Sequence, residues 1–392
     1  MGGRSDYGLP QFGPALTRAL TALPSGGQPW RPACPPRFHR VHYKGMLTDQ
    51  VTFTEAELLL DHPIAEPLIE GGVRCHGGFD TEGTYLSPRT RFRIPAITAW
   101  QAQNAQTFGT EPLHVPLDTW PAHFPNVAQA RHLITAGVPE PLIATLTRIG
   151  TVEGFGANIR FLQPGDLQPH FEQDVRGTAL DHLGRGLFEA HGRDEAGWEE
   201  EAGHRDMWFA ARDIAFQSPT TEIDVDAMLA RMGFGPAASG SSPEPTRALP
   251  TDIDPNLEMI ARLMIRVLLI EVQAFHTFAW AEEWLSDPNL VAGEGRAADL
   301  VSYIRADETP HVDYLRTALS EMRDRTWIGS GGSKHPGTEM IGTLWQLGLE
   351  QSLGAGREQT RASVLAEVEH WCGKHPHGTA TLEAFHALAG PA

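Results

Sequence analysis

Two tetrapeptides carry the residue types best suited to chemistry, Glu201-Ala202-Gly203-His204 and Glu308-Thr309-Pro310-His311. On a helix, residues three apart share a face, so each copy can aim a carboxylate oxygen and an imidazole nitrogen at one point. Each copy also has a glutamate upstream to pair with. Glu271 precedes Glu308 by 37 positions (308 − 271), a span that suits helix, turn and antiparallel return. Glu153 precedes Glu201 by 48 (201 − 153), with the excess assigned to an insert around residues 164–190. Glu172 is the alternative partner, although Pro169 places it in a first helical turn rather than mid-helix, which favours Glu153. Four glutamates and two histidines arranged as Glu, Glu-x-x-His, Glu, Glu-x-x-His form the ligand inventory of a carboxylate-bridged two-metal site in a helical bundle. The expected metal ligands are therefore Glu153, Glu201, His204, Glu271, Glu308 and His311.

The elements that must position these residues follow from hydrophobic spacing and from Gly and Pro punctuation. A first helix is expected from about residue 139 towards 162, an extra helix over 170–190, and the first motif on a helix over about 194–217. A crossover at 218–256, with a short helix near 224–232, leads to helices at about 255–286 and 296–326. Three shorter helices, at about 337–353, 358–373 and 380–389, finish the chain. Met264, Val267, Leu268, Ala274, Phe275 and Phe278 put Glu271 in the middle of an apolar stripe; Val301, Ile304, Val312 and Leu315 do the same for Glu308 and His311. A carboxylate buried there without a partner costs several kcal/mol, so each needs a cation or a proton. Single Glu-x-x-His matches are ordinarily solvated surface pairs. The repetition on apolar faces is what points to metal.

Residues 1–135 are broken by Pro, Gly and aromatics into irregular or strand-like pieces such as Val51-Thr52-Phe53 and Thr90-Arg91-Phe92-Arg93-Ile94, with no motif of their own. They are expected to form a lid, a partner surface or an accessory subdomain, followed by the bundle at 136–326 and C-terminal helices at 327–392. His170, His182 and His191 flank an acid-rich insert and suit a surface role. Arg160, Arg212 and Arg305 recur near the bundle helices and suit neutralising the carboxylate cluster rather than holding an acidic substrate group. The formal net charge of −18, from 49 acidic and 31 basic residues, argues against a nucleic-acid partner. Cys34, Cys75 and Cys372 lack Cys-x-x-Cys spacing, which leaves neither a disulfide framework nor a zinc ribbon. Without an apolar run of about 18 residues or a signal-peptide core, a cytoplasmic protein off the membrane is expected.

Asp307-Glu308-Thr309-Pro310-His311 resembles the Asp-Glu-x-x-His signature of the ferritin-like di-iron carboxylate superfamily, which includes multicomponent monooxygenases, ribonucleotide reductase small subunits, acyl desaturases and arylamine N-oxygenases. The other copy, Glu200-Glu201-Ala202-Gly203-His204, departs by having glutamate in place of aspartate. The resemblance covers about residues 139–326. It implies a mainly α fold, a ferritin-like four-helix bundle with an irregular N-terminal extension and extra C-terminal helices. It also implies that Asp307 and Glu200 orient ligating histidines through hydrogen bonds, and that Glu201 and Glu308 take the catalytic role. Pro310 inside the motif is unusual, since it removes a backbone donor.

Carboxylate and imidazole ligands suit iron, with manganese as the alternative. Two such ions can together reduce dioxygen. The resemblance then implies an O2-dependent non-haem di-iron oxygenase or oxidase performing hydroxylation, N-oxygenation or desaturation on a small organic or carrier-tethered substrate. No dinucleotide fingerprint or iron–sulfur cysteine set is present, so an external electron donor, a ferredoxin or reductase, is expected. A homodimer would fit the paired bundles frequent in that superfamily. The competing readings are a di-manganese catalase or iron-oxidising storage bundle, and a metal-free helical interaction scaffold.

Overall fold

The computed structural model describes residues 53–115, 120–220, 222–231 and 247–389. Val51 and Thr52, part of one strand-like piece, lie outside them, as do residues 221 and 232–246 of the central crossover. The described residues all belong to one compact unit, Leu47–Ala392, and the fold is mainly helical. Helix α1 (Glu55–Leu58) leads into a three-stranded antiparallel sheet of β1 (Glu66–Glu70), β2 (Val73–Phe79) and β3 (Tyr85–Leu86). Then come α2 (Thr90–Phe108), α3 (Val127–Thr135), α4 (Glu140–Gly156), α5 (Ala179–His182), α6 (Phe188–Ala196), α7 (His204–Phe216) and α8 (Glu222–Arg231). The 31-residue α9 (Pro255–Leu285) is followed by α10 (Arg296–Asp307) and α11 (Thr309–Asp324). A hairpin of β4 (Thr326–Ile328) and β5 (Lys334–Pro336) precedes α12 (Gly337–Leu349), α13 (Gly356–Cys372) and α14 (Gly378–Ala387).

Local chemistry accounts for the long elements. Asp254 caps α9 by accepting from the backbone N–H groups of Asn256 and Leu257, and Pro255 sits at the first turn, where its missing N–H costs nothing. Helix α9 lies within a residue of its expected span. The expected helix at 296–326 is interrupted at Glu308 because Pro310 has no N–H to continue the ladder. Glu308 itself keeps helical angles (φ −72°, ψ −22°), so the interruption leaves α10 and α11 in line with the motif.

Three expectations are corrected. The stretch Thr90–Ile94 is the first turn and a half of α2, not a strand. The helix expected over 194–217 is two helices, because Gly197 (φ 85°) ends α6 and residues 198–201 close a tight hairpin, Trp198 N–H to Glu201 O at 2.9 Å and Glu201 N–H to Trp198 O at 3.0 Å. A Cβ at Gly203 would collide with the Gly197 backbone, so the loop closes only with glycine there. The loop is pinned from outside by β2: Ala202 N–H donates to Arg74 O at 2.9 Å and His76 N–H to Ala202 O at 2.9 Å. The helix expected at 170–190 is reduced to α5, a kink at Arg185–Gly186 and the start of α6.

Around the centre α4 packs on α6 and α7, α7 on α10, and α9 on both α10 and α11; α2 covers α11 and β2 touches α7. Two apolar clusters result. One contains Leu146, Ile149, Met207, Trp208, Phe278 and Ile304, the other Met264, Leu268, Val272, Tyr314 and Leu315. Glu271 on α9, and Glu308 with His311 at the α10–α11 junction, fall where the helices cross from one cluster to the other, and Glu153 on α4 lies just beyond that helix's last member of the first cluster, Ile149. A buried polar layer therefore separates two dry ones. No described helix is long and apolar enough to cross a membrane.

Candidate metal centre

Seven buried side chains converge in that layer. Glu153, Glu195, His204 and Glu308 form one group, and His191, Glu195, Glu271 and His311 form another, the possible ligand atoms of each lying within 4.8 Å of one another. Glu195 belongs to both. Glu308 also spans them, with Oε1 2.9 Å from His204 Nδ1 and Oε2 2.6 Å from His311 Nδ1. His191 Nε2 lies 3.5 Å from Glu195 Oε1 and 3.4 Å from Glu271 Oε1. His204 Nδ1 lies 3.6 Å from both Glu153 Oε2 and Glu195 Oε2.

Five of the expected ligands, Glu153, His204, Glu271, Glu308 and His311, are brought together. Glu201 is not. The hairpin turns it outward, where it pairs with Arg74 at 3.2 Å with its side chain 31% exposed. Glu200 is exposed, and so cannot orient a histidine in the core. Glu172 is exposed too and pairs with Lys334 of β5, which removes it as the alternative to Glu153. The place expected for Glu201 is filled by Glu195 at the end of α6. Glu195 lies 42 positions after Glu153 (195 − 153), closer to the 37 of the second half than Glu201 was. His191, assigned to the surface from sequence, is fully buried one helical turn before Glu195. A signal for both was present: Asp194-Glu195 repeats Asp307-Glu308, but its histidine lies nine positions on rather than three, across the glycine-closed loop. Arg160, Arg212 and Arg305 pair with Glu189, Asp213 and Glu282, which lie outside the two ligand groups, so these arginines do not neutralise the cluster.

The orienting aspartates cross over between the halves. Asp194 accepts from His311 Nε2–H at 2.9 Å, which leaves Nδ1 facing Glu308 and Glu195, and Asp307 Oδ2 lies 3.6 Å from His204 Nε2. Residues from the motif-free N-terminal stretch hold both carboxylates. Arg89 Nε and Arg93 Nη2 each donate to Asp194 at 2.7 Å. His76 Nε2 donates to Asp307 at 3.1 Å and the Tyr85 hydroxyl at 2.9 Å. Arg89 does this from a left-handed backbone (φ 52°), fixed by its N–H bond to Asp61. His191 is set by Tyr314, whose hydroxyl lies 3.1 Å from Nδ1, and it stacks on His311 at 3.9 Å between ring centroids.

Without a cation these charges conflict. Burial, and after it the Glu195 carboxylate, push Glu153 well above the usual glutamate range; burial, then Glu308 and Glu195, do the same to Glu271. Burial is the largest single influence on His204 and His311 and opposes their charged forms, but the surrounding carboxylates together, Glu308 foremost, outweigh it and hold both imidazoles well above the ordinary histidine value. Burial would raise Glu308, yet those two imidazoles keep it well below. Burial, then His311, drive His191 well below its ordinary value. Asp194 stays ionised against its burial because Arg89 and Arg93 hold it.

The sign of the pH dependence follows. Glu153 and Glu271 bind protons more tightly folded than unfolded, so they favour the fold fully below the ordinary glutamate range and lose that contribution as pH rises through their raised values. His204 and His311 act in the same direction above the ordinary histidine value. Glu308, Asp194 and Asp307 act oppositely, but only below the ordinary carboxylate range, and His191 and His76, both lowered by burial, act oppositely only below the ordinary histidine value. Chelator-treated protein is therefore expected to melt at progressively lower temperature as pH rises above the ordinary histidine value, whereas metal-loaded protein is not. Melting curves that coincide in the two forms would contradict this. Glu201→Ala is expected to leave metal content unchanged, and its loss in that variant, read by plasma mass spectrometry, would return Glu201 to the site.

The residues fit a metal pair by the state of their polar atoms. Glu195 Oε2, Glu308 Oε1, His191 Nε2 and both nitrogens of His204 are buried without a hydrogen-bond partner, although oppositely charged atoms stand within 3.6 Å. Such atoms are close but do not hydrogen-bond one another, an unmet need that a shared cation would satisfy. Four glutamates also match the charge of two divalent ions. No protein-family model, curated protein or solved structure matches the chain.

Proposed function

We propose that the chain is a non-haem di-iron oxidoreductase, an O2-dependent oxygenase or oxidase acting on a small organic or carrier-tethered substrate, built on a ferritin-like arrangement of α4, α6 with α7, α9 and α10 with α11. The observation that carries the reading is the pair of buried groups joined by Glu195 and Glu308. Glu153, Glu195, His204 and Glu308 would hold one ion; His191, Glu195, Glu271 and His311 the other. Bound iron would supply the electrons that reduce dioxygen.

The protein's own contribution is orientation and seclusion. Asp194 and Asp307 fix the ring orientations of His311 and His204, and the three histidines are sealed from solvent at 0% exposure. Glu153 at 7% and Glu271 at 4% are the most exposed of the seven, so substrate approaches from their carboxylate side. An external electron donor remains part of the proposal.

The test is metal analysis of protein expressed with iron, followed by oxygen uptake with a reductant and candidate substrates. About two irons per chain and substrate-dependent uptake support the reading. Metal retained in both Glu308→Ala and His204→Ala would sink the ligand assignment.

A further inference from the structure

We infer that the two halves of the centre are built to hold different kinds of ion: the Glu153 half a hard cation such as Mn(II), and the His191 half a borderline one such as Fe(II) or Co(II). The inference rests on the two-metal reading and adds the division of labour within it.

The donor sets are unequal. The Glu153 half groups three carboxylates with one imidazole, while the His191 half groups two carboxylates with two imidazoles and is also reached by the second oxygen of Glu308, so the second imidazole is the clear difference. Their surroundings are unequal in the same direction. Behind His204 stands Asp307, held by His76 and the Tyr85 hydroxyl, with no Lys or Arg in ion-pair distance among the described residues. Behind His311 stands Asp194, with one guanidinium on each carboxylate oxygen. The first half thus carries an extra negative charge nearby, the second an extra positive one.

Hard ions bind carboxylate oxygen and respond mainly to charge. Borderline ions gain more from imidazole nitrogen and tolerate a less negative site. Raw affinity rises from Mn(II) through Fe(II) to Co(II) at any one site, so what the protein controls is the order in which its two sites fill. His191 is the residue that creates the difference. Its counterpart one turn before Glu308 is Ile304, which offers no ligand. When Nε2 serves as ligand, Nδ1–H donates to the Tyr314 hydroxyl oxygen, which fixes the ring.

The experiment is anaerobic titration of the metal-free full chain with Mn(II) alone, followed by the loss of the free-ion paramagnetic resonance signal. A parallel titration uses Co(II) alone, whose visible absorption reports nitrogen ligation. Two unequal steps are expected with each ion, filling in opposite order. His191→Gln should weaken the first Co(II) step roughly tenfold or more and spare the first Mn(II) step; Glu153→Gln should do the reverse. Tyr314→Phe, which keeps the ring in the core, should weaken the first Co(II) step in the same sense and guards against a His191 variant that misfolds. Equal steps, the same filling order for both ions, or both variants striking the same step would overturn the inference while leaving the two-metal reading intact. No binding of either ion would overturn both.

Discussion

Glu271→Gln is expected to make the metal-free protein more stable than its parent and at the same time to strip the centre of metal. Glutamine keeps the shape of the side chain and discards a charge that burial and two neighbouring carboxylates already oppose. Replacing buried ionic groups with uncharged residues of similar volume ranges from neutral to stabilising by about 1–4 kcal/mol. The gain should grow with pH, because the parent loses stability as Glu271 is forced to ionise and the variant has nothing there to titrate. Metal reverses the order. A ligand bound only by the folded state adds roughly 2.7 kcal/mol per site at a hundredfold excess over its dissociation constant, and the variant forfeits that for at least one ion. Denaturant melts of both proteins, with chelator and with metal, give all four values. A variant less stable than its parent under both conditions would mean that the protein alone compensates Glu271, and the cluster would then be a satisfied polar core.

Asp194→Ala is expected to act in the opposite sense and harder. Asp194 is fully buried between Arg89 and Arg93, which are 2% and 0% exposed. Removing it leaves two buried guanidinium groups without their shared carboxylate, a change that typically costs about 3–5 kcal/mol. The cost should appear with or without metal, and His311, released from its partner at Nε2, should also lose metal affinity by roughly tenfold or more. Adding Arg93→Met to Asp194→Ala should recover part of the stability but none of the metal affinity, since the charge imbalance shrinks while His311 stays unheld. A stability loss below about 1 kcal/mol for Asp194→Ala would show that water reaches the guanidiniums and that the clamp is not dry. Two neighbouring positions, Asp194 and Glu195, thus sit beside each other in the chain with different tasks, one neutralising arginines and the other joining the two ligand groups.

What the sequence by itself determined is the part of the centre carried on regular helices. Glu271, Glu308 and His311 lie at helical spacing in apolar stripes, where a period of 3.6 leaves them no direction but inward, and Glu153 follows from the same pattern on α4. The mainly helical fold and the span of α9 were legible for the same reason, since capping by Asp254 and Pro255 is local chemistry. Tertiary structure alone decided the rest. Glu201 has the right spacing from His204, but spacing carries direction only on a helix, and Gly197, Gly203 and the β2 edge take residues 197–203 off it. That loop hands the role to Glu195, six positions earlier in the chain, and brings His191 in with it. The clamps on the two aspartates come from His76, Tyr85, Arg89 and Arg93, more than 100 positions from the aspartates they hold. No local period encodes such a pairing. It exists because strand β2 and helix α2 close over the helices, and a buried carboxylate takes its partner from whatever the fold sets against it.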